Sequence, residues 1–158
     1  MKINKSVLNR KKLIFMVFLV IGLFSVVSFA SGQDSYNIFT LEYFKQSLES
    51  LIIGDYDSAI RNSSLVISRD PNSSVAYTIR GRAYYEKGEM TNAINDCTRA
   101  ISLDRNNVSA LSIRANAYIR AGNFTRAITD WETLLRISPE NTDALRNIEL
   151  AQRQQSAP

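Results

Sequence analysis

The chain has no histidine and a single cysteine, Cys97. Without histidine the commonest general base and the commonest metal ligand are both missing. One thiol cannot close an internal disulfide, and too few soft ligands remain for a typical zinc site. At its place in the repeat pattern, Cys97 reads as a small buried hydrophobe. Glycine is scarce, six in 158 residues, and no group of glycines forms a phosphate-cradling loop. No nucleophile–base pair stands out, so the sequence reads as non-enzymatic, with no cofactor and no metal. Acidic residues are absent before Asp34, whereas Lys2, Lys5, Arg10, Lys11 and Lys12 all lie there. Beyond residue 30 the chain has 14 basic and 15 acidic side chains. The formal charge of +4 therefore belongs to the N-terminus. The remainder has no basic stripe for phosphates, and nucleic acid is not an expected partner.

The basic start leads into Leu13 to Val27, an apolar run of 15 residues interrupted only by Gly22 and Ser25. Ser28-Phe29-Ala30 then places small residues at the two positions a signal peptidase reads. A charged start, a short apolar core and a small-x-small exit together read as a signal peptide over residues 1–30. The alternative is an uncleaved membrane anchor, because the run through Ala30 covers 18 residues, the lower limit for crossing a bilayer. In both cases the positive charges stay in the cytoplasm and the rest crosses the membrane. The expected location is periplasmic or secreted, or anchored in the cytoplasmic membrane with the repeats outside. A membrane is a partner only if residues 13–30 are retained. No cysteine lies near the exit to accept a lipid anchor.

Three segments past this address repeat with a period of 34 residues: Gly54-Asp-Tyr-Asp-Ser-Ala59-Ile60, Gly88-Glu-Met-Thr-Asn-Ala93-Ile94 and Gly122-Asn-Phe-Thr-Arg-Ala127-Ile128. Pro71, Arg105 and Pro139 each follow the corresponding alanine by twelve residues. A fixed period of this length is the signature of a helical solenoid. Residues 31–39 are read as a linker, 40–73, 74–107 and 108–141 as three units, 142–154 as a capping helix and 155–158 as a tail. Within a unit, helix A carries a stripe such as Tyr77, Gly81 and Tyr84, or Leu111, Ala115 and Tyr118. Gly54, Gly88 and Gly122 follow the A helices, where a left-handed residue is wanted. Asp55 and Asn123 suit the start of helix B, and Glu89 suits it less. The B helices bury Ala59, Ala93 and Ala127, then Ser63, Cys97 and Trp131, then Val66, Ala100 and Leu134. Pro71 and Pro139 end helix B.

These residues resemble the tetratricopeptide repeat, over about residues 40–141 and best over 74–107 and 108–141. The resemblance implies an all-α, right-handed superhelical solenoid of three helix-turn-helix units. It also implies a scaffold for a protein or peptide partner. Arg80 and Arg114 replace the leucine of the family pattern, and Arg105 replaces a proline. Asp96 stands sixteen residues after Arg80 and Asp130 sixteen after Arg114, while unit one has Gln46 and Asn62 at those places. Charge is present on both sides or on neither, so Arg80–Asp96 and Arg114–Asp130 are expected to be structural ion pairs. At the solenoid's start, Glu42, Lys45 and Glu49 occupy positions that are apolar in later units, which predicts no repeat packed before unit one. At its far end Ala144, Leu145 and Ile148 face inward and Arg146, Glu149, Gln152 and Arg153 face out, as a solvating cap requires.

The resemblance places partner contacts on the A helices, in a concave groove. Carried across, these are Leu41, Phe44, Leu48, Leu51 and Ile52 in unit one, and Val75, Thr78, Arg82, Tyr85 and Glu86 in unit two. Unit three adds Ser109, Ser112, Asn116, Ile119 and Arg120, and the cap adds Asp143, Arg146 and Leu150. Leu41, Phe44, Leu48 and Leu51 form an apolar stripe, which marks a binding surface if exposed. A shift of one residue in the first helix would turn that stripe inward as core, and a homodimer contact would also bury it. The usual core positions there, Tyr43, Gln46, Ser47 and Ser50, are poor core material and favour the shift. The Gln46/Asn62 correspondence favours the unshifted register. Family members that clamp a chaperone's C-terminal carboxylate use Lys, Asn and Arg where this chain has Phe44, Leu48, Ile79, Ser109 and Ile113. Chaperone-tail binding is therefore not expected. Asn62, Asn72, Asn107 and Asn123 begin Asn-x-Ser/Thr triplets, which chance supplies in a chain rich in Asn and Ser.

Overall fold

The computed structural model describes residues 38–156, and these contain seven helices and no strand. The signal or anchor reading of residues 1–30 lies outside the described residues. The chain divides between Phe39 and Thr40 into two units, and the repeats occupy the second. α1 is helical through residue 53, and helix is already present at residue 38, inside the expected linker. It is followed by α2 (Tyr56–Arg69), α3 (Ser74–Glu86), α4 (Met90–Leu103), α5 (Val108–Arg120), α6 (Phe124–Ile137) and α7 (Thr142–Ser156). From α2 onward each helix packs on the next in sequence, and α3 also touches α5. This nearest-neighbour order is that of an all-α helical-repeat solenoid.

Local chemistry sets the corners. Gly54, Gly88 and Gly122 adopt φ of 82°, 82° and 74°, a conformation that costs glycine least. After two of these turns a short polar side chain caps the B helix: Asp55 accepts from the Ser58 amide and Asn123 from the Arg126 amide. The Ser58 hydroxyl, together with that amide, holds the Asp55 carboxyl below its ordinary range. Glu89 forms no such cap on α4. Ser73, Asn107 and Asn141 cap α3, α5 and α7 in the same way. The last helix runs two residues past the expected 154, where the Ser156 hydroxyl donates to the Gln152 carbonyl.

Small residues let the helices approach closely. Ala59, Ala93 and Ala127 are fully buried, as are Ser63, Cys97 and Ala100. Gly81 shows how close the approach is: a Cβ there would lie 2.8 Å from Cys97 Sγ. Burial pushes the Cys97 thiol up to about 12, so it stays neutral. Trp131 and Leu134 join Leu111 and Ala144 in the core beneath α7.

Two charged rungs run through the packing. Arg80 Nε and Nη2 donate to Asp96 Oδ2 and Oδ1 at 2.7 and 2.8 Å, and Nη1 donates to Ser64 Oγ at 3.0 Å. Arg114 repeats this with Asp130 at 2.8 and 2.7 Å, and with Thr98 Oγ1 at 2.9 Å. Each arginine thus binds its own unit's carboxylate bidentately and the preceding unit's hydroxyl. The Asp96 hydrogen bond raises the Arg80 pKa. For Arg114 burial pulls the pKa down, but the bond to Asp130 and its charge outweigh burial and raise it.

Candidate binding groove

α1 is amphipathic in an unusual sense, with small polar residues inside and large apolar ones outside. Ser47 and Ser50 are buried, and Ser47 satisfies its hydroxyl by donating to the Phe44 carbonyl at 2.6 Å. Leu41, Leu48 and Ile52 remain 68%, 38% and 82% exposed. Phe44 and Leu51 are half-buried beside them. The packing register is therefore the unshifted one. Small serines let α1 sit close to its neighbours, and a hydroxyl that back-bonds to its own helix does not need an apolar replacement.

Further along, the expected groove residues divide into accessible and engaged ones. Arg82 and Arg120 are exposed, and Ser112, Asn116, Tyr85 and Ile119 are half-buried. Thr78 departs from the sequence reading, because only 9% of it is exposed. Its hydroxyl donates to the Ser74 carbonyl and accepts from Asn107 Nδ2, both at 2.9 Å, so the cap of α5 closes over it. Arg120 lies over the Tyr85 ring, 4.9 Å from its centroid, and donates to the Tyr85 carbonyl. Ile119 packs against the core around Trp131. Arg82 Nε pairs with Glu86 at 2.6 Å.

Two cavities open on this face, and Arg82 borders both. One, of ≈ 260 Å³, lies among Leu51, Ile52, Tyr56, Arg82 and Glu86. The other, of ≈ 280 Å³, has an apolar floor that includes Trp131 and Leu134, and a rim that includes Ser109, Ser112, Asn141 and Asn147. Sequence reasoning found the A-helix walls but missed Asn141 and Asn147, and it placed Trp131 and Leu134 in the core without a groove role. Among the described residues no three His, Cys, Asp or Glu side chains gather to hold a metal ion. The arrangement can hold apolar side chains and hydrogen-bond a backbone.

Residues 81–122 match a family described as TPR repeat, and residues 108–141 match one described as Tetratricopeptide repeat. No curated protein sequence is detectably similar to the chain. Among solved structures, the first TPR of Spaghetti (RPAP3), bound to the HSP90 peptide SRMEEVD, is similar with TM-score 0.72 and 25% identity. That match covers 75% of this chain and 94% of the other. The second TPR domain of human RPAP3, in complex with the HSP70 peptide SGPTIEEVD, gives TM-score 0.70 and 25% identity over 74% of this chain and 98% of that one. The TPR2B domain of yeast Sti1 shares the fold at TM-score 0.66 and 23% identity, over 75% and 97% of the two chains. The 34-residue period, the helix order and these matches agree: this chain contains tetratricopeptide repeats, arranged as an all-α solenoid.

Proposed function

We propose that this chain is an exported, non-catalytic scaffold that holds a protein or peptide partner in the groove of its A helices. The observation that carries the reading is the outward apolar face of α1, where Leu41 and Ile52 are largely exposed and Leu48 partly so. Apolar surface gathered on one helix face is costly in water and is a common mark of a binding surface. The RPAP3 domains, similar in fold, hold peptides, which supports a peptide as occupant. Their peptides end in an acidic motif, whereas this chain places Phe44, Leu48 and Ser109 at clamp positions, and Ile79 and Ile113 at two more are buried. A chaperone-type tail is thus a poor fit. Export rests on the signal-like pattern of residues 1–30 alone. Retention of that segment would make the protein a membrane-anchored part of an envelope assembly.

Leu48→Asp tests the groove. Leu48 is partly exposed, so the variant should keep its melting temperature within the equivalent of about 0.5 kcal/mol. Cross-linking capture of the native partner by the full chain should fall at least tenfold. Undiminished capture by Leu48→Asp would remove α1 from the binding surface.

A further inference from the structure

Resting on that groove reading, we infer that the partner segment is extended and near-neutral, and is anchored by two apolar side chains about six to seven residues apart. Each cavity falls just below the range of about 300–1,000 Å³ usual for a whole small molecule. Each therefore suits one bulky side chain with the backbone around it. The first has Leu51, Ile52 and Tyr56 as apolar lining, and the second has Trp131 and Leu134 as its floor. Ser112 and Asn147 on the second rim are neutral donors and acceptors, the type that binds peptide backbone.

The spacing follows from the helices. The first cavity lies between α1 and α3, and the second between α5 and α7 beside Arg82 of α3. α3 touches α5, which sets successive A helices about 8–10 Å apart, and the two cavities, two such steps from each other, are separated by about 20 Å across the helices. An extended chain rises about 3.3 Å per residue, which makes the span about six to seven residues. The path runs diagonally, from the C-terminal half of α1 to the N-terminal turns of α5 and α7, and passes over Arg82.

Charge selects against an acidic tail. Arg82, the one cation bordering both cavities, is already matched by Glu86 at 2.6 Å. Asp143 sits in the first turn of α7, where the helix amides favour a carboxylate. An acidic ligand would have to draw Arg82 away from Glu86 and pass Asp143, while the exposed Arg120 is held over the Tyr85 ring and donates to the Tyr85 carbonyl. Binding should therefore change little with salt.

The test is selection of a random dodecapeptide display library on the full-length chain, with counter-selection on Ile52→Glu. The expected result is enrichment of uncharged sequences with two bulky apolar residues six or seven apart. A labelled selected peptide should bind at least tenfold more tightly than either single-anchor version. Its affinity should change less than twofold between 50 and 500 mM NaCl, with SRMEEVD as the acidic comparison. Ile52→Glu should reduce the selected peptide to the affinity of its single-anchor version. Enrichment of acidic termini, of single apolar clusters or of strongly salt-dependent peptides, still lost in Ile52→Glu, would overturn the two-anchor ligand and leave the groove reading standing. Equal enrichment on the chain and on Ile52→Glu, or no enrichment on either, would overturn both.

Discussion

Asp96→Ala is expected to destabilise the fold by about 3 kcal/mol or more, the cost of leaving a partly buried charge without its partner. Asp96 supplies both oxygens of a bidentate pair with Arg80, whose side chain is only 21% exposed. Once the carboxylate is gone, Ser64 Oγ is the one hydrogen-bond acceptor left to Arg80 among those described, and a neutral hydroxyl cannot balance a guanidinium. The neighbouring Tyr77 ring, 5.5 Å away, offers a weak cation–π contact that offsets little of the loss. The paired substitution Arg80→Met with Asp96→Leu should cost far less, because it removes both charges and keeps the volume filled. Urea unfolding of the wild type, Asp96→Ala and the pair measures this directly. If the pair loses as much as the single variant, the loss comes from the ion pair's own bonds and not from a charge left without its partner.

A second large effect is a change of sign at Gly81. In the wild type, Gly81→Ala should destabilise, because the new Cβ would lie 2.8 Å from Cys97 Sγ between two closely packed helices. In a Cys97→Ala background the sulfur is absent, and the next nearest atoms, Ala93 O and Asp96 Cβ, lie at 3.4 Å. Gly81 is inside α3, where alanine is favoured over glycine by about 0.8–1.0 kcal/mol. The same substitution should then be neutral or stabilising. The coupling energy in this double-mutant cycle should reach about 1–3 kcal/mol. Additive effects would mean that α3 and α4 do not approach at this point as described.

The repeat was legible because its markers are independent of one another. A left-handed glycine, a short capping side chain, a small buried alanine and a closing proline recur at fixed offsets, and each has its own physical reason. The ion pairs were legible for a related reason: Arg80 and Arg114 occur with Asp96 and Asp130, and Gln46 occurs with Asn62. The register of α1 was not legible from hydrophobicity, because Ser47 and Ser50 lie inside while Leu41 and Ile52 lie outside. A hydroxyl bonded to its own helix behaves as a small core side chain, and apolarity alone does not reveal this. Thr78 was read from its position in the helix, which says nothing of Asn107, the cap of α5, reaching back to cover it. Asn107 at a helix start, 29 residues from Thr78 and 33 from Ser74, was the available signal. Of the second cavity, Ser109, Ser112 and Asp143 lay at positions carried across, but Trp131 and Leu134 of α6 and Asn141 and Asn147 by α7 lay outside them.

Whether a partner lies across the A helices is decided most directly by amide hydrogen exchange of the full-length chain, free and saturated with a library-selected dodecapeptide. The strongest new protection is expected in the C-terminal half of α1, in α3 around Arg82 and in the first turns of α5 and α7, with α2 and α4 little changed. Protection centred on α2 and α4, with α1 and α3 exchanging as in the free chain, would place the partner elsewhere and refute the groove.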